Sequence, residues 1–157
     1  MKRRIFRPEE LIKEISSKII ELLGEQVVSI VFFGSLARRV ASKSKTHGMN
    51  PDLDFLIILK EFKPEYSEKL SELRLEYLLR GIKIDTVVLS VEDSLINFSN
   101  PSPLFASLVL GNQILYDTGF FAENFRKMIE YVRKSGIKFV EGGKIWDLAK
   151  IASGSMH

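Results

Sequence analysis

Apolar residues recur along this chain with two different periods, and the alternation between them predicts the order of its elements. Leu11, Ile12, Ile15, Ile19, Ile20, Leu22 and Leu23 follow helical spacing behind Pro8, Glu9 and Glu10, and Gly24 is a natural stop. Val27–Phe33 is an unbroken apolar run rich in β-branched residues, the pattern of a strand buried on both faces. A short helix is expected over 35–40, and the polar "ASKSKTHGMNP" over 41–51 reads as an exposed loop. "DLDFLIILK" (52–60) is a second buried strand. Pro64 opens a helix running to Arg80, with Leu70, Leu73, Tyr77 and Leu78 on one face and Gly81 at its end. "IKIDTVVLS" (82–90) is a third strand.

The second half is less regular. One or two helical turns are expected over 92–98, "NPSP" (100–103) is a break, and 104–110 reads as helical. Gln113–Asp117 is a short extended piece, 120–134 is an amphipathic helix ending at Gly136, and a final helix is expected over 144–152. Phe120, Phe121, Phe125 and Tyr131 keep helical spacing, which assigns them to a core; Trp146 is assigned to packing as well. No repeat interrupts the series. Strands alternating with helices predict an α/β (α+β) sheet domain.

Composition narrows the chemistry. A chain of 157 residues has enough length for one well-filled core, here expected over 8–117, with a helical extension over 118–152 and a small polar tail over 153–157. Without cysteine it can build neither disulfides nor thiolate metal sites, and two histidines argue against a zinc centre; His47, in the polar loop, reads as a surface residue. A net charge of +3 is too balanced, and its aromatics too little interleaved with basic residues, for a general nucleic-acid binder. No apolar run has the length of a membrane span and "MKRRIFRPEE" lacks the apolar core of a signal peptide, so no membrane role and a cytoplasmic location are expected.

The acids supply the sharper signal. Asp52 and Asp54 are alternate residues at the start of a strand, so they project to one face with Cα atoms roughly 6–7 Å apart. Phe55, Leu56, Ile57 and Ile58 follow, so two like charges open an otherwise buried strand. That arrangement is costly unless a cation joins it. Oxygen ligands without histidine or cysteine suit Mg²⁺ or Mn²⁺. Asp85 lies inside the next apolar strand and can join the cluster if the two strands are neighbours. Three such carboxylates suit metal-assisted phosphoryl transfer, with Asp85 placed to help deprotonate the attacking hydroxyl.

The stretch "VVSIVFFGSLARR" then acquires a reason. Gly34 lets the backbone approach a ligand closely, Ser35 offers a hydroxyl and starts a helix whose N–H groups attract phosphate, and Arg38 and Arg39 follow one turn later with guanidinium groups suited to the same phosphates. Taken singly each feature has an ordinary explanation: a turn, a strand cap, a salt bridge, a solvated face. Their order describes a nucleoside triphosphate site.

With "FFGSLARR", "PDLDFLII" and "KIDTVVLS" in place, the chain resembles the DNA polymerase beta-type nucleotidyltransferase superfamily, and within it the minimal nucleotidyltransferase branch. The resemblance runs from about Val27 to Ser90, with "NQILYD" echoing the family's last strand. It implies a mixed sheet flanked by helices, here with extra C-terminal helices. It also implies transfer of a nucleoside monophosphate, with AMP from ATP the expected case, to an acceptor hydroxyl with release of pyrophosphate. Carried over by position, Gly34 and Ser35 contact the triphosphate, Asp52 and Asp54 hold magnesium ions, and Asp85 completes the metal site and faces the acceptor. That acceptor could be a protein hydroxyl, an RNA end or a small molecule. Members of the branch often serve as antitoxins that modify or bind a HEPN-type partner, so a protein that only binds, as an antitoxin or adaptor on the same fold, is the alternative. The chain departs from the pattern in its longer connection over 36–51.

Overall fold

A computed structural model of the chain describes residues 7–34, 37, 52–136, 138–141, 144–147 and 151, with the backbone alone for 138–141 and 144–147. Among the described residues a mixed four-stranded sheet is covered on both faces by helices, which agrees with the expected fold class. In chain order the elements are α1 (Pro8–Leu23), a 3₁₀ turn (Gly24–Gln26), β1 (Val27–Phe33), β2 (Asp52–Leu59), α2 (Pro64–Leu78), β3 (Lys83–Ser90), α3 (Val91–Ser99), α4 (Pro103–Leu108), β4 (Gln113–Asp117), α5 (Phe120–Ser135), β5 (Lys138–Glu141) and β6 (Lys144–Asp147). The sheet order is β3-β2-β1-β4. β1 runs antiparallel to both β2 and β4, while β2 and β3 are parallel and joined through α2. The two central strands carry the two unbroken apolar runs, as burial on both faces requires.

Alternation along the strands divides the interior into two cores. Toward α1 and α2 point Ile30 and Phe32 of β1, Leu53, Phe55, Ile57 and Leu59 of β2, and Ile84 of β3. They meet Ile12, Ile15 and Ile19 of α1 and Leu70, Leu73 and Tyr77 of α2. Toward α3, α4 and α5 point Val31, Phe33, Leu56 and Ile58, which meet Phe98, Phe105, Phe121, Met128 and Val132. Phe98 gathers Phe105, Phe120 and Phe121 around it with ring centroids 4.8–6.2 Å apart.

Three expectations need correction. Over 144–147 the last predicted helix, expected over 144–152, is replaced by strand β6 of an antiparallel β5–β6 hairpin in which Phe139 pairs with Trp146 and Val140 with Ile145; of the rest of that range Ile151 is helical, and 148–150 and 152 lie outside the described residues. Its cause is readable afterwards: Gly142-Gly143 separates two segments of β-branched and aromatic residues, and a two-residue Gly-Gly link is a hairpin signal. Leu78 lies off the buried face of α2, 57% exposed, because Tyr66, Leu70, Leu73 and Tyr77 already form the stripe at spacings of four, three and four. Tyr131 is likewise 48% exposed, since Phe121, Met128, Ile129 and Val132 make up the buried stripe of α5. Among the described residues no helix is long and apolar enough to cross a membrane.

Candidate active site

The site begins where β1 ends. Phe33, the last residue of β1, is the antiparallel partner of Asp54, and Gly34 follows with φ +87°. That backbone conformation suits glycine, and the surroundings demand it as well. A Cβ at Gly34 would lie 2.9 Å from Cγ of Asp54 and 3.2 Å from its Cβ, and would overlap a carboxylate oxygen. The turn therefore brings the bare backbone of residue 34 directly against an acid of the next strand.

β2 and β3 complete the arrangement. Their parallel register pairs Asp52 with Lys83 and Asp54 with Asp85. Neighbouring strands are about 4.8 Å apart, so Asp54 and Asp85 are lateral neighbours. On β2 the odd-numbered residues pack toward α1 and α2, while Leu56 and Ile58 face the other core; Asp52 and Asp54 continue that even-numbered row at the start of the strand. Asp52 is exposed, and Asp54 and Asp85 are half-buried. The condition set by the sequence, that the two acid-bearing strands be neighbours, is met.

Lys83 is the residue the sequence reading passed over. It precedes Asp85 by two, shares its face, and places Nζ 3.9 Å from Oδ2 of Asp85. The spacing Lys83-x-Asp85 at the start of a strand was the available signal. As they stand, the described acids do not converge into a cluster of three able to cage an ion. Their chemistry nevertheless fits a hard divalent cation: oxygen donors on adjacent strands, beside a backbone approach kept free of any side chain. Of the other residues singled out in the sequence, Ser35, Arg38, Arg39, His47 and the 41–51 loop lie outside the described residues; Ala37, between Ser35 and Arg38, packs into the first core.

A further carboxylate has a different task. Asp117, at the end of β4, accepts hydrogen bonds from the Ser29 hydroxyl (2.8 Å) and from the backbone N–H groups of Phe121 (3.0 Å) and Ala122 (2.9 Å). It ties the sheet to the start of α5. Burial alone would raise its pKa, but these bonds to the charged form, together with one from the Gly119 N–H, outweigh it and hold the carboxyl below its ordinary value.

Comparison with known proteins agrees with the geometry. The family model described as "Nucleotidyltransferase domain" matches residues 12–109, which takes in β1, β2 and β3 with all their acids. Over 147 residues the chain is 28% identical to "Putative protein adenylyltransferase MJ1305" of Methanocaldococcus jannaschii, covering 90% of this chain and 94% of that one. In fold it is similar to a chain in the crystal structure of a toxin-antitoxin with AMP-PNP, with a TM-score of 0.51, 16% identity, and 78% of this chain and 87% of that one covered. A chain in a crystal structure of a toxin-antitoxin MntA-HpeT mutant gives a TM-score of 0.50 at 14% identity, with the same coverage. By the family match over most of its length, the chain belongs to the nucleotidyltransferase domain family.

Proposed function

We propose that the chain transfers a nucleoside monophosphate, AMP from ATP, to a hydroxyl group of a protein acceptor, with Asp52, Asp54 and Asp85 as its working acids. The observation that carries this reading is the in-register adjacency of Asp54 and Asp85 beside the side-chain-free backbone of Gly34. The adenylyl group and the protein acceptor are favoured by the name of the Methanocaldococcus jannaschii relative, and the nucleotide by the AMP-PNP in the similar toxin-antitoxin structure.

Gly34 and Ser35 take the triphosphate, the glycine by close backbone approach and the serine through its hydroxyl, and the guanidinium groups of Arg38 and Arg39 suit the same phosphates. Asp52, Asp54 and Asp85 would hold Mg²⁺ or Mn²⁺, which when bound neutralises the phosphates and polarises the phosphoryl group. Asp85, at the outer strand of the acid pair, accepts the proton of the attacking hydroxyl. A bond forms between the acceptor oxygen and the α-phosphorus as the bond to pyrophosphate breaks.

The test is transfer of label from α-labelled ATP to protein. Asp54→Asn and Asp85→Asn should each lower incorporation by about 100-fold or more, as loss of a group that stabilises transition-state charge does. Undiminished labelling by either variant contradicts the assignment.

The fold likeness to chains of toxin-antitoxin complexes favours one second reading, an antitoxin that neutralises its partner by binding alone, the partner being of the HEPN type that the sequence resemblance implies. Under it, co-expression of Asp54→Asn with the partner protects cells as well as wild type does. Under the catalytic reading protection is lost.

A further inference from the structure

Lys83 stands beside Asp52, Asp54 and Asp85 as their only described basic neighbour in register. It pairs with Asp52 across the β2–β3 ladder and reaches Asp85 along β3, so four charged side chains (Asp52, Asp54, Lys83, Asp85) occupy one corner of one sheet face. Three negative charges at this spacing repel one another, and a cation lowers that cost. The chain carries such a cation of its own, on a long flexible stem that can leave without disturbing the strand. The Lys83 and Asp85 side chains are 58% and 49% exposed, so their pairing is weak and easily exchanged.

We infer that Lys83 is the built-in counter-charge of these acids: its ammonium pairs loosely with Asp85 and competes with the divalent cation for it, so that Lys83 sets the metal affinity of the site. This rests on the reading of the three acids as metal ligands. A cation entering the cluster must detach Lys83 from Asp85, and the displaced ammonium stays within a few ångströms as a like charge opposing the ion. Lys83 is thus a positioning residue, acting on the metal through Asp85 rather than on substrate.

The experiment is calorimetric titration of Mn²⁺ alone, without nucleotide, into the wild type, Lys83→Met, Lys83→Arg and Asp54→Asn at low ionic strength, with melting curves to establish that each variant is folded. Removing one positive charge a few ångströms from a doubly charged ion should tighten Mn²⁺ binding about three- to tenfold in Lys83→Met. Lys83→Arg should return to the wild-type value. The gap between Lys83→Met and wild type should shrink as salt is raised to about 1 M, where screening acts within a few ångströms. Unchanged or weaker binding in folded Lys83→Met, with wild type binding and Asp54→Asn not, overturns the role of Lys83 and leaves the metal site standing. Mn²⁺ binding that is the same in Asp54→Asn as in wild type, or absent from both, overturns the metal site itself and the inference with it.

Discussion

At the scale of single residues the proposed site depends on the close approach of Gly34 and Asp54. Gly34→Ala meets two penalties at once, a left-handed backbone and a Cβ driven into the Asp54 carboxylate. The backbone term alone is about 1–2 kcal/mol. We expect a lower urea midpoint together with loss of nucleotide binding; a variant with wild-type stability and binding would contradict the close approach. Asp54→Asn is the complementary case. It keeps the shape and removes the charge, so its melting temperature should stay within a few degrees of wild type while nucleotide transfer disappears. The pairing of these two residues was half legible in the sequence. Gly-Ser after an apolar run and D-x-D opening another are visible as patterns, but which acid meets the glycine depends on the antiparallel register of β1 and β2, and that register is a long-range property. Lys83 escaped for a related reason: a lysine at a strand start is ordinary until the neighbouring strand supplies two acids beside it.

At the scale of elements, α5 is tied to the sheet through Asp117. Asp117→Ala removes the carboxylate that accepts from the Ser29 hydroxyl and from two N–H groups at the start of the helix, which should cost about 1–3 kcal/mol in chemical denaturation. The same bonds give a pH dependence. The folded carboxyl titrates below its ordinary value of 3.8, so between the two values the unfolded chain binds more protons and stability rises with pH. Its contribution is complete above the ordinary carboxylate range and is lost as pH falls through the depressed folded value. Denaturation midpoints should therefore decline more steeply below about pH 4 in wild type than in Asp117→Asn; parallel declines would contradict the role given to these bonds. Elements with strong periodicity, such as α1, β1 and β2, were readable almost to their ends. The β5–β6 hairpin was not, because "KIWDLAKIA" also carries apolar residues at helical spacing, and the deciding Gly142-Gly143 link lies before it. Leu78 and Tyr131 show the same limit on a smaller scale: a residue adjacent to an apolar stripe counts as part of it until the facing sheet fixes the stripe's centre.

At the scale of the whole molecule, the sheet separates the apolar cores from the proposed site. Two apolar cores lie on its faces, and the acids and the glycine turn lie at one end, where β1 leaves and β2 and β3 begin. Substitutions among the acids should therefore change binding with little effect on folding. The proposal that Gly34 and the acids of β2 and β3 form one metal-dependent nucleotide site can be tested before the acceptor is known. Calorimetric binding of ATP should be measured for wild type and Asp54→Asn, each with and without Mg²⁺. Wild type should bind ATP only with Mg²⁺ present, and a folded Asp54→Asn protein should not bind it. ATP binding that ignores both Mg²⁺ and the substitution, or no ATP binding by the folded wild type, would contradict the proposal.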